Sequence, residues 1–130
     1  MLELELTNIA HGGDALGRHE GRVIFVPYGI PGESVRVEIT QDRGRWARAS
    51  LIEVLSPSPN RIQSPCPYFG TCGGCQWQHM DYKAQLAYKE TIVSEQLSHL
   101  GGLPEVPIEP TLPSPDVWHY RNHAQFTPSP

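Results

Sequence analysis

Cys66, Cys72 and Cys75 are the three cysteines of this 130-residue chain, and all fall in one stretch, Cys66-Pro-Tyr-Phe-Gly-Thr-Cys72-Gly-Gly-Cys75-Gln-Trp-Gln-His79. Their spacing is Cys-x5-Cys-x2-Cys. An isolated buried cysteine behaves as a small inert hydrophobe. Here the neighbours are Pro, Gly, Thr and Gln, which is loop composition. Gly73 and Gly74 let the backbone turn tightly and let amide N–H groups approach a bound anion or sulfide without interference from a Cβ. Four readings follow from the residues alone. One is a free thiol cluster. A second, a disulfide framework, is disfavoured by the odd count and by the absence of a secretory pattern at the start of the chain. A third is a Cys3His zinc site, because His79 follows Cys75 at Cys-x3-His spacing. The fourth is an iron–sulfur cluster held by three local thiolates and a fourth from elsewhere. Spacing does not separate the last two.

The elements that must position this loop are legible on either side of it. Leu2, Leu4 and Leu6 alternate with Glu3, Glu5 and Thr7, the period of a strand with one buried face. Glycine-rich turns flank a short second strand near Ala15–His19, and residues 22–26 form a third that stops at Pro27. Val35, Val37 and Ile39 alternate with Arg36, Glu38 and Thr40 in a fourth. Asp42-Arg43-Gly44 closes a hairpin into a fifth, at 45–55. Five short strands with Gly and Pro turns predict a small β-barrel, closure being the way a sheet this small removes its edges. The expected fold class is therefore mainly β with α: a barrel at 1–57, a linker and cysteine loop at 58–80, a helix at 81–101 and an extended segment at 102–130. Ser56-Pro57-Ser58-Pro59 reads as a linker without a hydrophobic anchor. Asp81 is the expected N-cap, Tyr82, Leu86, Val93, Leu97 and Leu100 the expected apolar stripe, with Ala84, Ala87 and Ile92 close by, and Gly101-Gly102 the stop. The proline-rich tail carries one expected strand at 119–126. It ends at Thr127-Pro128-Ser129-Pro130 without a capping element, which reads as a truncation.

Lys and Arg number 10 against 14 Asp and Glu, so the chain is mildly acidic, which is no footprint of a strong nucleic-acid binder. The charge is patterned nonetheless. Arg43, Arg45 and Arg48 surround Trp46, a combination suited to phosphate contacts beside a stacked base. The competing reading is a solvated hairpin tip with Trp46 capping the barrel. No apolar run is long enough to span a membrane, and the first residues lack a signal-peptide pattern. A cytoplasmic, reducing location is expected, with RNA as partner, no membrane and a monomeric state.

The run Cys66-Pro-x4-Cys72-Gly-Gly-Cys75-x-x-Gln78-His79 resembles the cluster loop of the RNA uracil-5-methyltransferases that begin with a TRAM domain. Val23-Ile24-Phe25-Val26-Pro27 and Ile30-Pro31-Gly32-Glu33 resemble the TRAM pattern, and Trp118-His119-Tyr120-Arg121-Asn122 resembles the Tyr-Arg-Asn segment that opens those enzymes' central domain. The resemblance implies an OB-like barrel and a 4Fe-4S cluster on Cys66, Cys72 and Cys75 with its fourth ligand beyond this sequence. It further implies S-adenosylmethionine bound by a domain absent from these residues, and ribosomal or transfer RNA as substrate. Arg121 and Asn122 become candidate contacts to a nucleotide. Methylating C5 of uracil needs a thiolate that adds at C6 and a base for the C5 proton. No residue of this chain is assigned either task, because the crowding of the three thiols favours ligand duty.

Overall fold

The structure is a computed structural model describing residues 1–128; Ser129 and Pro130, the end of the expected 102–130 segment, lie outside the described residues. Strands form where alternation and the Gly and Pro turns place them: β1 (Leu2–Ile9), β2 (Ala15–His19), β3 (Arg22–Val26), β4 (Ser34–Asp42) and β5 (Trp46–Ser56). They close into a barrel in the order β1-β2-β3-β5-β4. The pairs are antiparallel except β3 with β5, which run parallel with Val23 opposite Trp46 and Phe25 opposite Arg48. That parallel pair closes the barrel. The β2–β3 hairpin turns through Glu20 at φ 49° and Gly21 at φ 78°, the left-handed pair that a two-residue type I′ turn requires.

The inward residues are Leu4, Leu6, Ala15, Ile24, Val26, Val35, Val37, Ala47 and Ala49; in β5 the core is met by the two alanines, with Leu51 and Val54 partly buried and Ile52 and Leu55 exposed. A second apolar cluster lies outside the barrel. Ile9 and Ile30 meet Met80 and Ala84, with Trp77, Tyr88 and Ile92 packed against them. It joins the barrel to α1 (Tyr82–His99), the single helix among the described residues.

The start and stop of α1 follow the sequence. The Asp81 carboxylate accepts from the Ala84 amide at 2.8 Å, and Gly102 at φ 65° takes the left-handed position past the end. Its packing face differs from the expected stripe. Val93 and Leu100 are exposed, and the contact runs along Ala84, Tyr88 and Ile92 instead. Small Ala84 lets the helix approach the barrel, and the i, i+4, i+8 spacing keeps the other two on the same side. The expected strand at 119–126 is also corrected: those residues adopt no strand. Thr111 and Ser114 tether the tail to α1, through the Leu86 carbonyl and the Tyr82 hydroxyl, and the closed barrel offers no free edge for a further strand.

Candidate functional site

The cysteine loop is an excursion with a closed neck. Arg61 and Met80 face each other as a bridge. The Ile62 amide donates to the His79 carbonyl at 3.0 Å and the Asp81 amide to the Asn60 carbonyl at 2.9 Å. Both sides of this neck are fixed to the barrel by polar groups. On one side, the fully buried Glu33 carboxylate accepts from the Arg61 Nε at 2.7 Å and Nη2 at 2.8 Å, and from the Ser58 and Ile30 amides. Arg61 Nη2 donates again, to the Tyr28 carbonyl at 2.7 Å. Ser58 is itself buried, so the stretch expected to be an unanchored linker is held by hydrogen bonds rather than by apolar side chains. On the other side, the Trp77 indole donates to the Gly13 carbonyl at 2.9 Å, and His79 Nε2 lies 3.2 Å from the Gly29 carbonyl.

The electrostatics of this junction follow from its burial. Burial pushes the Glu33 carboxyl upward, but the Arg61 hydrogen bonds, the Ser58 amide and the Arg61 charge outweigh it, so its pKa lies below the ordinary 4.5. His79 is depressed to about 4, first because burial disfavours its charged form, against the raising effect of the Gly29 hydrogen bond. A neutral imidazole facing a carbonyl must donate, so Nε2 carries the proton. The Nδ1 atom is buried without a hydrogen-bond partner. The ring stacks on Phe69 at 5.8 Å and meets Tyr28 edge-on.

The loop tip is organised differently. Cys66 is half-buried, whereas Cys72 and Cys75 are exposed, and all three are free thiols. Short turns shape it: the Phe69 amide donates to the Cys66 carbonyl, and the Thr71 and Cys72 amides to the Tyr68 carbonyl. The Gly74 amide donates to Cys72 Sγ at 3.4 Å. Among the described residues no three His, Cys, Asp or Glu side chains gather where a single metal ion would sit. The donor set fits a thiolate-held cluster in kind, with three soft ligands on one loop and an amide directed at sulfur. His79 does not fit a Cys3His zinc site, since it is buried against the barrel and donates to Gly29.

Arg121 reaches this loop, its Nη2 lying 3.4 Å from the Gly74 carbonyl, with exposed Asn122 beside it. A cleft of about 640 Å³ opens there, lined by Cys75, Trp77, Tyr82, Lys89, Trp118 and Arg121 among others. The Arg43–Arg48 hairpin belongs to the barrel instead. Trp46 sits edge-on to Phe25 at 5.9 Å and is 36% exposed. Arg48 is paired with Asp14 at 2.6 Å, which leaves Arg43 and Arg45 as the exposed cations of the turn. Sequence reasoning missed Asp14, Glu33 and Arg61. The available signal for Glu33 is a carboxylate placed three residues after Ile30 in a Pro-Gly turn.

Residues 2–52 match the TRAM domain family. That match is the barrel, β1 to most of β5. Over 125 residues, 96% of its length, the chain is 42% identical to an uncharacterized RNA methyltransferase of Nitratidesulfovibrio vulgaris, of which it spans 27%. It is 40% identical over 125 residues to a 23S rRNA (uracil(1939)-C(5))-methyltransferase of Alkalilimnicola ehrlichii, covering 95% of this chain and 28% of that protein. The tRNA (uracil-54, C5)-methyltransferase of Pyrococcus abyssi, solved with S-adenosyl-L-homocysteine, is similar at 28% identity and a TM-score of 0.48, over 73% of this chain and 21% of that one. The chain thus spans little more than a quarter of the curated relatives it matches.

Proposed function

We propose that this chain is the RNA-gripping and cluster-bearing portion of an S-adenosylmethionine-dependent RNA uracil-5-methyltransferase acting on ribosomal or transfer RNA. The observation that carries the reading is the match of nearly the whole chain, barrel and cysteine loop together, to RNA methyltransferases at about 40% identity. The barrel grips RNA through Arg43, Arg45 and Trp46, with Arg48 available once its pair with Asp14 opens. Arg121 and Asn122 contact RNA beside the cysteine loop. Cys66, Cys72 and Cys75 hold a 4Fe-4S cluster whose fourth ligand lies outside these residues. When bound, the cluster ties three points of the loop together and adds its binding energy to folding. The methyl donor and the groups that attack and deprotonate uracil belong to the remainder of the protein. The proposed setting is cytoplasmic and monomeric; among the described residues no helix is long and apolar enough to cross a membrane.

The burial of His79 supports iron over the rival reading, a non-enzymatic RNA-binding module with a Cys3His zinc loop. Elemental analysis of the protein, purified without oxygen with the rest of its reading frame, is expected to return iron and sulfide; zinc without iron would overturn the cluster. RNA binding is tested by salt titration on the 130-residue chain. Two phosphate contacts by Arg43 and Arg45 imply a log–log salt slope of about −1.4, and three, with Arg48, about −2. An Arg43/Arg45/Arg48 triple-alanine variant with unchanged slope and affinity would remove the hairpin from the RNA site.

A further inference from the structure

We propose that the Glu33–Arg61 ion pair is a positioning device that sets the pose of the cysteine loop on the barrel, beyond any part it plays in holding the barrel together. The proposal rests on the cluster reading only for what the thiols bind; the pose itself is a matter of geometry.

Glu33 stands at the meeting of three segments. One oxygen accepts from the Ile30 amide at 2.7 Å and closes the turn that leads into β4. The other accepts from the Ser58 amide at 3.2 Å, just past the end of β5. The Arg61 guanidinium engages both oxygens and also the Tyr28 carbonyl. Arg61 is in turn one half of the neck bridge with Met80. A single carboxylate therefore links the barrel turn, the strand exit and the first residue of the neck.

A carboxylate that only closed a turn would need the Ile30 amide and no cation. Burying an ion pair is a poor way to add stability, because apolar residues of similar volume commonly do as well or better. What a two-pronged guanidinium–carboxylate contact adds is direction, since both N–H···O bonds are satisfied at one relative orientation. The second apolar cluster, in which Met80 meets Ile9 and Ile30, is held by apolar contact, which is not directional. The far side of the neck has its own tethers, Trp77 to Gly13 and His79 to Gly29. The near side, from Ser58 to Ile62, is joined to the barrel through Glu33 and Tyr28.

Stability and positioning are separable with a double Glu33→Met, Arg61→Met variant, which removes both charges together and leaves apolar groups of comparable length. Amide hydrogen exchange on the 130-residue chain is the readout. The Ile62 and Asp81 amides, which close the neck, are expected to exchange on the order of 100-fold faster than in the wild type, while barrel amides such as those of Val37 and Ala47 stay within about threefold. Neck amides as protected as in the wild type would overturn the proposal. So would barrel and neck accelerating together, or a double variant that fails to fold, because the pair would then be part of the barrel's own framework. Arg61→Lys, which keeps the charge and loses the fork, is expected to give intermediate neck exchange; full protection in that variant would show that charge alone suffices and would overturn the directional role. Iron loading of the wild-type protein extended with its own reading frame, measured separately, tests the cluster. Its failure would remove the cluster and leave the exchange result to decide the clasp.

Discussion

The barrel and the cysteine loop are neighbours in sequence and are stabilised by different physics. In the barrel, each strand pairs on both sides, and the side chains pointing inward are Leu, Ile, Val and Ala. Its backbone groups and its apolar area are therefore satisfied by the same act of closure. The loop has no comparable core. Cys72, Gly73, Gly74 and Cys75 are exposed at its tip, and its order comes from short turns and from a neck fastened by Glu33, Arg61, Trp77 and His79. One region is held throughout its volume, the other at its base. Removing a side chain should thus be costly in the first, condition-dependent at the junction, and nearly free at the tip.

The largest effect is expected inside the barrel. Ile24→Ala removes a fully buried side chain from the centre of the core and is expected to cost about 2–5 kcal/mol, read as a lowered denaturant midpoint. A loss below about 1 kcal/mol would mean that the barrel is looser than its packing implies.

At the junction the effect depends on pH. Unfolded, His79 takes its proton near 6.5; folded, only near 4. Between these values the unfolded chain binds more protons, so stability falls as pH falls, by about 3 kcal/mol over the window. Glu33 acts in the same direction further down: its folded pKa lies below 4.5, so its contribution is intact above that value and is lost as pH drops through the folded pKa. Denaturant midpoints measured from pH 7 to pH 4 should fall steadily, and His79→Gln should flatten the upper part of the curve. An unchanged slope in that variant would place the titration elsewhere.

On the barrel surface, Trp46→Ala is expected to weaken single-stranded RNA binding by about 1–3 kcal/mol, with little change in salt slope, if folding is verified first. Unaltered affinity would make the Phe25–Trp46 contact a packing pair alone. The smallest effect belongs to the tip. In metal-free protein, Cys72→Ser should shift unfolding stability by no more than about 0.5 kcal/mol. A larger loss would mean that the tip is as well supported as the barrel, and the contrast between the two regions would fail.

Much of this architecture is legible in the sequence itself. Alternation locates β1 and β4, turn residues and apolar runs locate β2, β3 and β5, Asp81 and Gly101-Gly102 locate the two ends of α1, and the clustering of Cys66, Cys72 and Cys75 locates the loop. These are properties of neighbouring residues: alternation of faces, the φ freedom of glycine, the capping reach of a carboxylate. Such signals are written within a few positions of the place where they act. The side of α1 that packs is not legible, because Ala84, Tyr88 and Ile92 are selected by Ile9 and Ile30 on a distant surface. Nor is the engagement of Arg48 by Asp14, 34 positions away, or the parallel pairing of β3 with β5. The anchored neck is the clearest case. Glu33 and Arg61 stand 28 positions apart with no shared periodicity, and His79 reads equally well as a zinc ligand, a support behind the ligands or the residue leading into α1. Only when the closed barrel brings the 28–33 turn against residues 58–61 does burial strip these groups of water, and only then do their partners become obligatory.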